Sequence, residues 1–154
     1  MLAVVDKGTN MFKKIMVPVD LAHKDAIEPA LTVAGDLARH YGAEVCYVGV
    51  TATTPGSVAR TPEEYQQKLE AFAQEHSDQH HGQTVSAHAI TTPDPTVDVD
   101  DKLTEATTDT GSDLVVMATH LPHHIDAVIP SNGGEVATHT DASIFLVRPS
   151  TGER

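Results

Sequence analysis

Cysteine and aromatic residues are scarce in this sequence, which has one cysteine, three tyrosines, three phenylalanines and no tryptophan. A single cysteine excludes a disulfide framework within the chain. Cys46 lies in an apolar strand pattern, and we interpret it as a small core residue rather than a nucleophile.

Long apolar runs are also absent. No run approaches the roughly 20 residues that a membrane-spanning helix needs, and the first residues do not show the basic start and cleavage site of a signal peptide. We therefore expect a cytoplasmic protein that does not insert into a membrane.

Basic residues are few, with 10 lysines and arginines against 22 aspartates and glutamates and a formal net charge of -12. Nucleic acids and anionic membrane surfaces both require a positive protein face, so the composition disfavours both as partners. Acidic, lysine-poor compositions also occur in proteins from a salty cytoplasm, which makes salt a variable of interest for this chain.

The length of 154 residues fits one domain with a substantial core. We place this domain at residues 11–150. Residues 1–10 precede a second methionine, Met11, and are expected to form a flexible extension, and residues 151–154 form a short tail.

Five apolar segments with branched side chains predict β-strands, at residues 12–20, 43–50, 84–90, 114–117 and 143–148. Segments with helical periodicity lie between them, at residues 25–41, from Thr61 towards His80, and in the stretch that ends at Gly111, and a short fourth helix is expected to begin near Ser131. This alternation predicts a single doubly wound, Rossmann-like α/β domain. The simplest arrangement with right-handed crossovers is a five-stranded parallel sheet in the order 3-2-1-4-5, with helices on both faces.

In that order the topological switch point lies between strands 1 and 4, and ligands bind there beyond the carboxyl ends of the strands. Asp20 and residues 119–134 would face each other across this crevice. Asp20 could instead cap the turn into the first helix, but the helical pattern begins near Asp25, so we place Asp20 in the crevice.

Residues 130–134 offer an anion site, because Ser131 or Asn132 can cap a helix while the following glycines leave backbone N–H groups open to a phosphate. The alternative interpretation is an ordinary turn that caps a helix and binds nothing.

Four segments carry a resemblance to a known family: residues 15–20, 43–50, 113–117 and 144–148. With these segments in place, the chain resembles the universal stress protein family over residues 12–149. It is most similar to the F and G type, because Ala118-Thr119-His120 and Pro130-Ser131-Asn132 occupy the places where that type has alanine, serine, histidine and glycine, serine, asparagine.

The resemblance implies a cytoplasmic homodimer of the stress response that binds ATP or another adenine nucleotide, with Mg²⁺ able to accompany the nucleotide. It implies no metabolic reaction, so we do not expect an enzyme, although slow ATP hydrolysis stays open. The dimer would form through the last strand, an apolar edge made of Ile144, Phe145, Leu146 and Val147.

The resemblance also implies a site. Asp20 would contact the ribose or adenine, and the backbone near Val50 would hold the adenine edge. The phosphates would lie against Ala118, His120, Ser131, Asn132 and Gly133. The complete expected nucleotide site consists of Pro18, Val19, Asp20, Val50, Met117, Ala118, Thr119, His120, Leu121, Pro130, Ser131, Asn132 and Gly133.

The glycine pattern of nucleotide-binding members is altered in this sequence. Ala118 and Leu121 replace the first two glycines, and Pro130 or Ser131 stands at the third. Leucine adds bulk where backbone should approach phosphate, and proline removes an N–H donor. A member of the family that binds no nucleotide and acts only through protein contacts is therefore the alternative.

The histidines suggest a third function, because His120, His123 and His124 lie within five residues and imidazole binds zinc, copper and nickel. Their spacing is not that of a zinc motif, and Asp126 is the only nearby carboxylate. A loop in which His120 contacts phosphate or packs is preferred to a metal site. Ser131 lacks a base and an orienting group at motif spacing, so nucleophilic catalysis is not predicted.

Overall fold

The strands of this protein form where the branched apolar segments lie, as the sequence predicts. The computed structural model describes residues 11–79, 84–118 and 140–148. The strands are β1 (Lys14–Pro18), β2 (Glu44–Ala52), β3 (Val85–Thr92), β4 (Leu114–Ala118) and β5 (Ser143–Val147). The helices are a 3₁₀ helix (Leu21–Ile27), α1 (Glu28–Tyr41), α2 (Pro62–Gln79) and α3 (Pro95–Thr110). The extension at 1–10, the tail at 151–154 and the predicted helix near Ser131 lie outside the described residues.

The five strands form one parallel sheet in the order β3-β2-β1-β4-β5. The predicted fold class and strand order are confirmed. The register pairs Val17 of β1 with Tyr47 of β2 and Val115 of β4 with Ile144 of β5. The central strand β1 is buried on both faces, which explains its continuous run of apolar side chains from Ile15 to Val17.

Successive side chains of each strand point to opposite faces of the sheet, and the two faces have separate cores. Ile15 and Val17 belong to the core on the face covered by α1 and α2. Met16 and Cys46 belong to the core on the other face, which α3 covers. The interpretation of Cys46 as a core residue is confirmed, and burial raises the pKa of its thiol. None of the described helices combines the length and the apolar character that a membrane span requires.

Capping residues mark the ends of the helices. Gly42 and Gly111 follow α1 and α3 with φ angles of 66° and 70°, a left-handed conformation that glycine adopts without strain. At the start of α2, Thr61 Oγ1 accepts a hydrogen bond from the N–H of Glu64 at 3.0 Å. The first helix begins differently from the prediction, because a 3₁₀ helix occupies the start of the predicted segment and α1 begins only at Glu28.

Candidate functional site

A cavity of about 450 Å³ lies at the carboxyl ends of β1, β2 and β4. This volume falls within the range of roughly 300 to 1,000 Å³ that small-molecule sites occupy. The lining residues are Pro18, Val19, Asp20, Ile27, Val48, Val50, Pro95, Val99, Leu103, Met117 and Ala118. Six of the residues expected in the nucleotide site therefore meet in one cavity, and they come from three different strands.

The exit of β1 directs the chain into this cavity. Pro18 is the last residue of the strand, and its ring removes the N–H donor that a continuing ladder would use. The N–H of the next residue, Val19, donates to Val48 O on β2 at 2.8 Å. This bond holds the backbone against β2 while the chain turns, so that Asp20 comes to the cavity.

Asp20 is oriented by two neighbours at the entrance of the 3₁₀ helix. Its Oδ1 accepts a hydrogen bond from the N–H of Ala22 at 3.0 Å, and its Oδ2 lies 2.9 Å from Nδ1 of His23. The side chain of Asp20 remains 57% exposed. A carboxylate has about four acceptor positions, so these contacts leave it able to accept hydrogen bonds from a ligand.

The expectation that Asp20 does not cap a helix was wrong, whereas its expected position in the crevice agrees with the cavity. Asp20 is the N-cap of the 3₁₀ helix and also lines the cavity. The error arose because the periodic apolar pattern of an α-helix starts near Asp25, whereas a 3₁₀ turn has three residues per turn and leaves no such pattern.

The remaining cavity wall is apolar and includes five residues that sequence reasoning missed: Ile27, Val48, Pro95, Val99 and Leu103. Val48 lies two residues before Val50 on the same face of β2, so the period of the strand would have identified it. Val99 and Leu103 are four residues apart on α3, and their spacing shows one face of the helix but not which strand ends that face covers.

Tyr65 of α2 packs against β2 from the opposite face of the sheet. A Cβ atom at Gly49 would lie only 2.4 Å from Tyr65 Oη, so the strand needs glycine between Val48 and Val50. Burial raises the pKa of Tyr65 to about 12, and the charge of Asp20 adds to this effect. The phenol therefore stays protonated at neutral pH. No signal in the sequence linked Tyr65 to this end of the sheet.

Seven expected site residues lie outside the described residues: Thr119, His120, Leu121, Pro130, Ser131, Asn132 and Gly133. The histidines of the metal alternative, His123 and His124, lie outside them as well. Within residues 11–79, 84–118 and 140–148, no group of three or more histidine, cysteine, aspartate or glutamate side chains is placed to hold a metal ion.

The fold and the cavity together define a doubly wound α/β protein with a ligand-sized cavity at its topological switch point. The model of the universal stress protein family matches residues 11–148, and the chain belongs to that family. No curated protein sequence matches it.

Solved structures with the same fold include members of that family. A universal stress protein in complex with cAMP has a TM-score of 0.64 and 14% identity, over 90% of this chain and 98% of that one. The universal stress protein from Archaeoglobus fulgidus in complex with dAMP has a TM-score of 0.60 and 16% identity, over 88% and 98% of the two chains. A universal stress protein family protein from Arabidopsis thaliana with AMP bound has a TM-score of 0.57 and 16% identity, over 92% and 94%.

Proposed function

We propose that this chain is a cytoplasmic, homodimeric universal stress protein of the F and G type that binds an adenine nucleotide, with ATP as the first candidate, in the cavity at the carboxyl ends of β1, β2 and β4. It acts as a regulatory protein of the stress response and catalyses no metabolic reaction. The observation that carries the proposal is the convergence of Pro18, Val19, Asp20, Val50, Met117 and Ala118 on one cavity.

The chemistry of the cavity suits the adenosine half of such a ligand. Val50 and Met117 supply apolar surface for a flat base, and burial of a base against such surface is favourable. Asp20 supplies an acceptor-only carboxylate for the hydroxyl groups of a ribose or the amino group of adenine. Hydrogen bonds to a charged acceptor contribute about 1.5 to 3 kcal/mol each, which is enough to orient the ligand.

The phosphates would leave the cavity past Ala118, the last residue of β4. Among the described residues, those that line the cavity include no lysine or arginine. Phosphoryl transfer needs cationic stabilisation of the developing charge, so this lining supports binding without rapid turnover. Mg²⁺ could accompany the nucleotide, where it would offset part of the phosphate charge.

The altered glycine pattern favours a second candidate, a dimeric member that binds no nucleotide. Ala118 takes the place of the first glycine of the family pattern, and it lies in the cavity wall. A methyl group there narrows the space for a ligand, although alanine is the smallest side chain that could replace glycine.

The test is calorimetric titration of the purified protein with AMP and with ATP and Mg²⁺, after denaturation of a separate sample to identify any released nucleotide. Ala118→Leu adds three carbon atoms to the cavity wall and narrows the cavity, and it is expected to weaken binding at least about tenfold, which corresponds to about 1.4 kcal/mol. Ala71→Leu, at an exposed position of α2, is the matched control and should bind as the wild type does. A protein that releases no nucleotide and gives no binding heat would favour the second candidate.

A further inference from the structure

The outer edge of β3 is one of the two terminal edges of the sheet. On its inner side β3 pairs with β2, and the N–H of Val45 donates to Thr84 O at 2.9 Å. The peptide groups of neighbouring residues in a strand point to opposite sides. The N–H and C=O groups of Ala87 and Ala89 therefore point outward, where an additional strand would pair.

The side-chain amide of Gln66 occupies this position. Gln66 Nε2 donates to Ala87 O at 3.1 Å, and the N–H of Ala89 donates to Gln66 Oε1 at 3.0 Å. A residue of a neighbouring parallel strand makes the same two bonds, because it donates to one residue and accepts from the residue two positions further along. The amide thus takes the place of the N–H and C=O groups of one residue of a sixth parallel strand, opposite His88.

Glu70 fixes the orientation of this amide. Gln66 Nε2 also donates to Glu70 Oε2 at 2.8 Å, one helical turn along α2. A carboxylate only accepts and a backbone N–H only donates, so the nitrogen must face Glu70 and the oxygen must face Ala89. Both hydrogens of the amide nitrogen are used, and the side chain is held in its position along the strand.

The opposite edge, at β5, has no comparable partner within the described part of the chain. The N–H of Ser143 donates to Asp113 O of β4, so the peptide groups of Ile144 and Leu146 point outward. No described residue bonds to them. The side chains of Phe145 and Leu146 are 43% and 41% exposed. The two edges therefore differ in their capacity to accept a strand.

We propose that Gln66 closes the β3 edge to strand pairing, so that of the two edges of the described sheet only β5 can pair with a second copy of this chain. The inference rests on the proposed dimer through β5. Two open edges would allow β5 of one copy to pair with β3 of the next, and such a head-to-tail contact grows into open chains unless its rotation closes a ring. One open edge limits the assembly to a closed pair.

The test compares Gln66→Ala with Gln67→Ala, which changes an exposed neighbour of the same residue type on the same helix. Alanine favours helix at both positions, so α2 is retained. Light scattering coupled to size-exclusion chromatography over a hundredfold range of concentration is expected to show assemblies of Gln66→Ala that exceed the wild-type mass and grow with concentration. Gln67→Ala should keep the wild-type mass. The double variant Gln66→Ala with Leu146→Lys should form a dimer through β3 and no larger assembly.

Amide hydrogen exchange of the wild type gives a second measurement that needs no variant. The amide of Ala89 is expected to exchange at least about tenfold more slowly than the amide of Ala87, which points outward and has no partner among the described residues. Equal exchange at Ala87 and Ala89, or a wild-type mass for Gln66→Ala at every concentration, overturns the proposal.

These results are separable from the proposed function. Gln66 does not line the cavity, so Gln66→Ala should bind AMP with the wild-type affinity. If the wild-type protein is a monomer, the proposed dimer through β5 is wrong. The proposal about Gln66 would still be testable by mass. The double variant Gln66→Ala with Leu146→Lys should form a dimer through β3, whereas Leu146→Lys alone should be a monomer.

Discussion

The two ends of the sheet each carry an aspartate, and the two carboxylates have different surroundings. At the amino end, Asp113 precedes β4, and its carboxylate accepts hydrogen bonds from the N–H groups of Lys13 and Lys14 at 3.0 to 3.2 Å. Its backbone also bonds to β1 and β5. At the carboxyl end, Asp20 bonds to one N–H and one histidine and remains 57% exposed.

This difference indicates a structural role for Asp113 and a binding role for Asp20. The carboxylate of Asp113 joins β1 to β4, and few of its acceptor positions are left for a ligand. Asp20 holds only a local turn, and the other described residues that line its cavity are apolar. The amino end therefore holds the strands together, whereas the carboxyl end has the carboxylate of Asp20 available for binding.

The largest effect is expected from Gly49→Ala, a substitution near the carboxyl end of the sheet that should lower the free energy of unfolding. Gly49→Ala places a Cβ 2.4 Å from Tyr65 Oη and 2.8 Å from its Cε1, so the buried ring must move. Overpacking of this kind costs about 2 to 3 kcal/mol in the free energy of unfolding, measured by urea denaturation. Binding should weaken as well, because Val48 and Val50 line the cavity on either side.

Gly56→Ala is the control for that variant, since its nearest neighbour would be Ala59 O at an ordinary 3.9 Å. Adding Tyr65→Phe to Gly49→Ala removes the closest atom and should restore part of the stability. If Gly49→Ala is as stable as the wild type, the close approach of Tyr65 to β2 is wrong.

The next effect tests the amino end. Asp113→Asn replaces one acceptor oxygen by an NH₂ group that opposes the N–H of Lys13, so one charge-assisted bond is lost. We expect a loss of about 2 kcal/mol in the free energy of unfolding and a melting temperature lower by about 5 °C. Nucleotide affinity, measured below the unfolding transition, should not change. A loss of affinity without a loss of stability would reverse the roles assigned to the two aspartates.

The same substitution at the carboxyl end should have the opposite result. Asp20→Asn keeps an oxygen that can cap the 3₁₀ helix, so the free energy of unfolding should change by less than about 0.5 kcal/mol. The charged acceptor for the ligand is lost, and we expect the Kd for AMP to rise about tenfold in calorimetric titration.

Asp36→Asn is the matched control for Asp20→Asn. Asp36 also pairs with a basic residue three positions along, and its side chain is 58% exposed, against 57% for Asp20. It lies outside the cavity, so this variant should keep both affinity and stability. Equal effects of the two substitutions on Kd would show that overall charge, and not the position of Asp20, governs binding.

The smallest expected effect is the dependence of the free energy of unfolding on pH above pH 10. Burial raises the pKa of Tyr65 to about 12, with the charge of Asp20 as a second cause, whereas burial alone raises the pKa of Tyr47 to about 12. An unfolded tyrosine titrates near pH 10, so between about pH 10 and 12 the unfolded state loses a proton that the folded state keeps. The stabilising effect is therefore complete below pH 10 and falls as the pH rises, by about 1 kcal/mol for each tyrosine at pH 11.

Asp20→Asn sharpens this test, because it should lower the pKa of Tyr65 and leave that of Tyr47 unchanged. The measurement is the pH titration of the tyrosine ring signals by NMR, with Tyr65→Phe to assign them. Equal responses of the two tyrosines would contradict the electrostatic contact between Asp20 and Tyr65.

The sequence predicted the sheet well because each strand carries its own signal. Continuous apolar residues in β1 and β4 indicate burial on both faces, and the alternation in β3 indicates a strand near the edge. Strand order followed from the handedness of the crossovers. The 3₁₀ helix was missed because a short turn without an apolar stripe has no periodic pattern.

Within the described residues, the cavity residues that the sequence predicted lie at or near the ends of strands. Pro18, Asp20, Val50 and Met117 are positioned by strand ends, which the topology brings together. The contribution of α3 depends on how the helix packs on the sheet, and spacing within the helix does not determine this. Gln66 bonds to residues 21 and 23 positions away, a contact that is formed only after α2 docks.

The most direct test of the central claim is a titration of ¹⁵N-labelled protein with AMP, followed by the backbone amide signals. We expect the signals of Asp20, Val50 and Ala118 to shift until they reach saturation. The signals of Lys13, Lys14 and Asp113, at the other end of the sheet, should stay in place. Shifts confined to the amino end, or no shifts at millimolar AMP, would contradict the assignment of the carboxyl-end cavity as the nucleotide site.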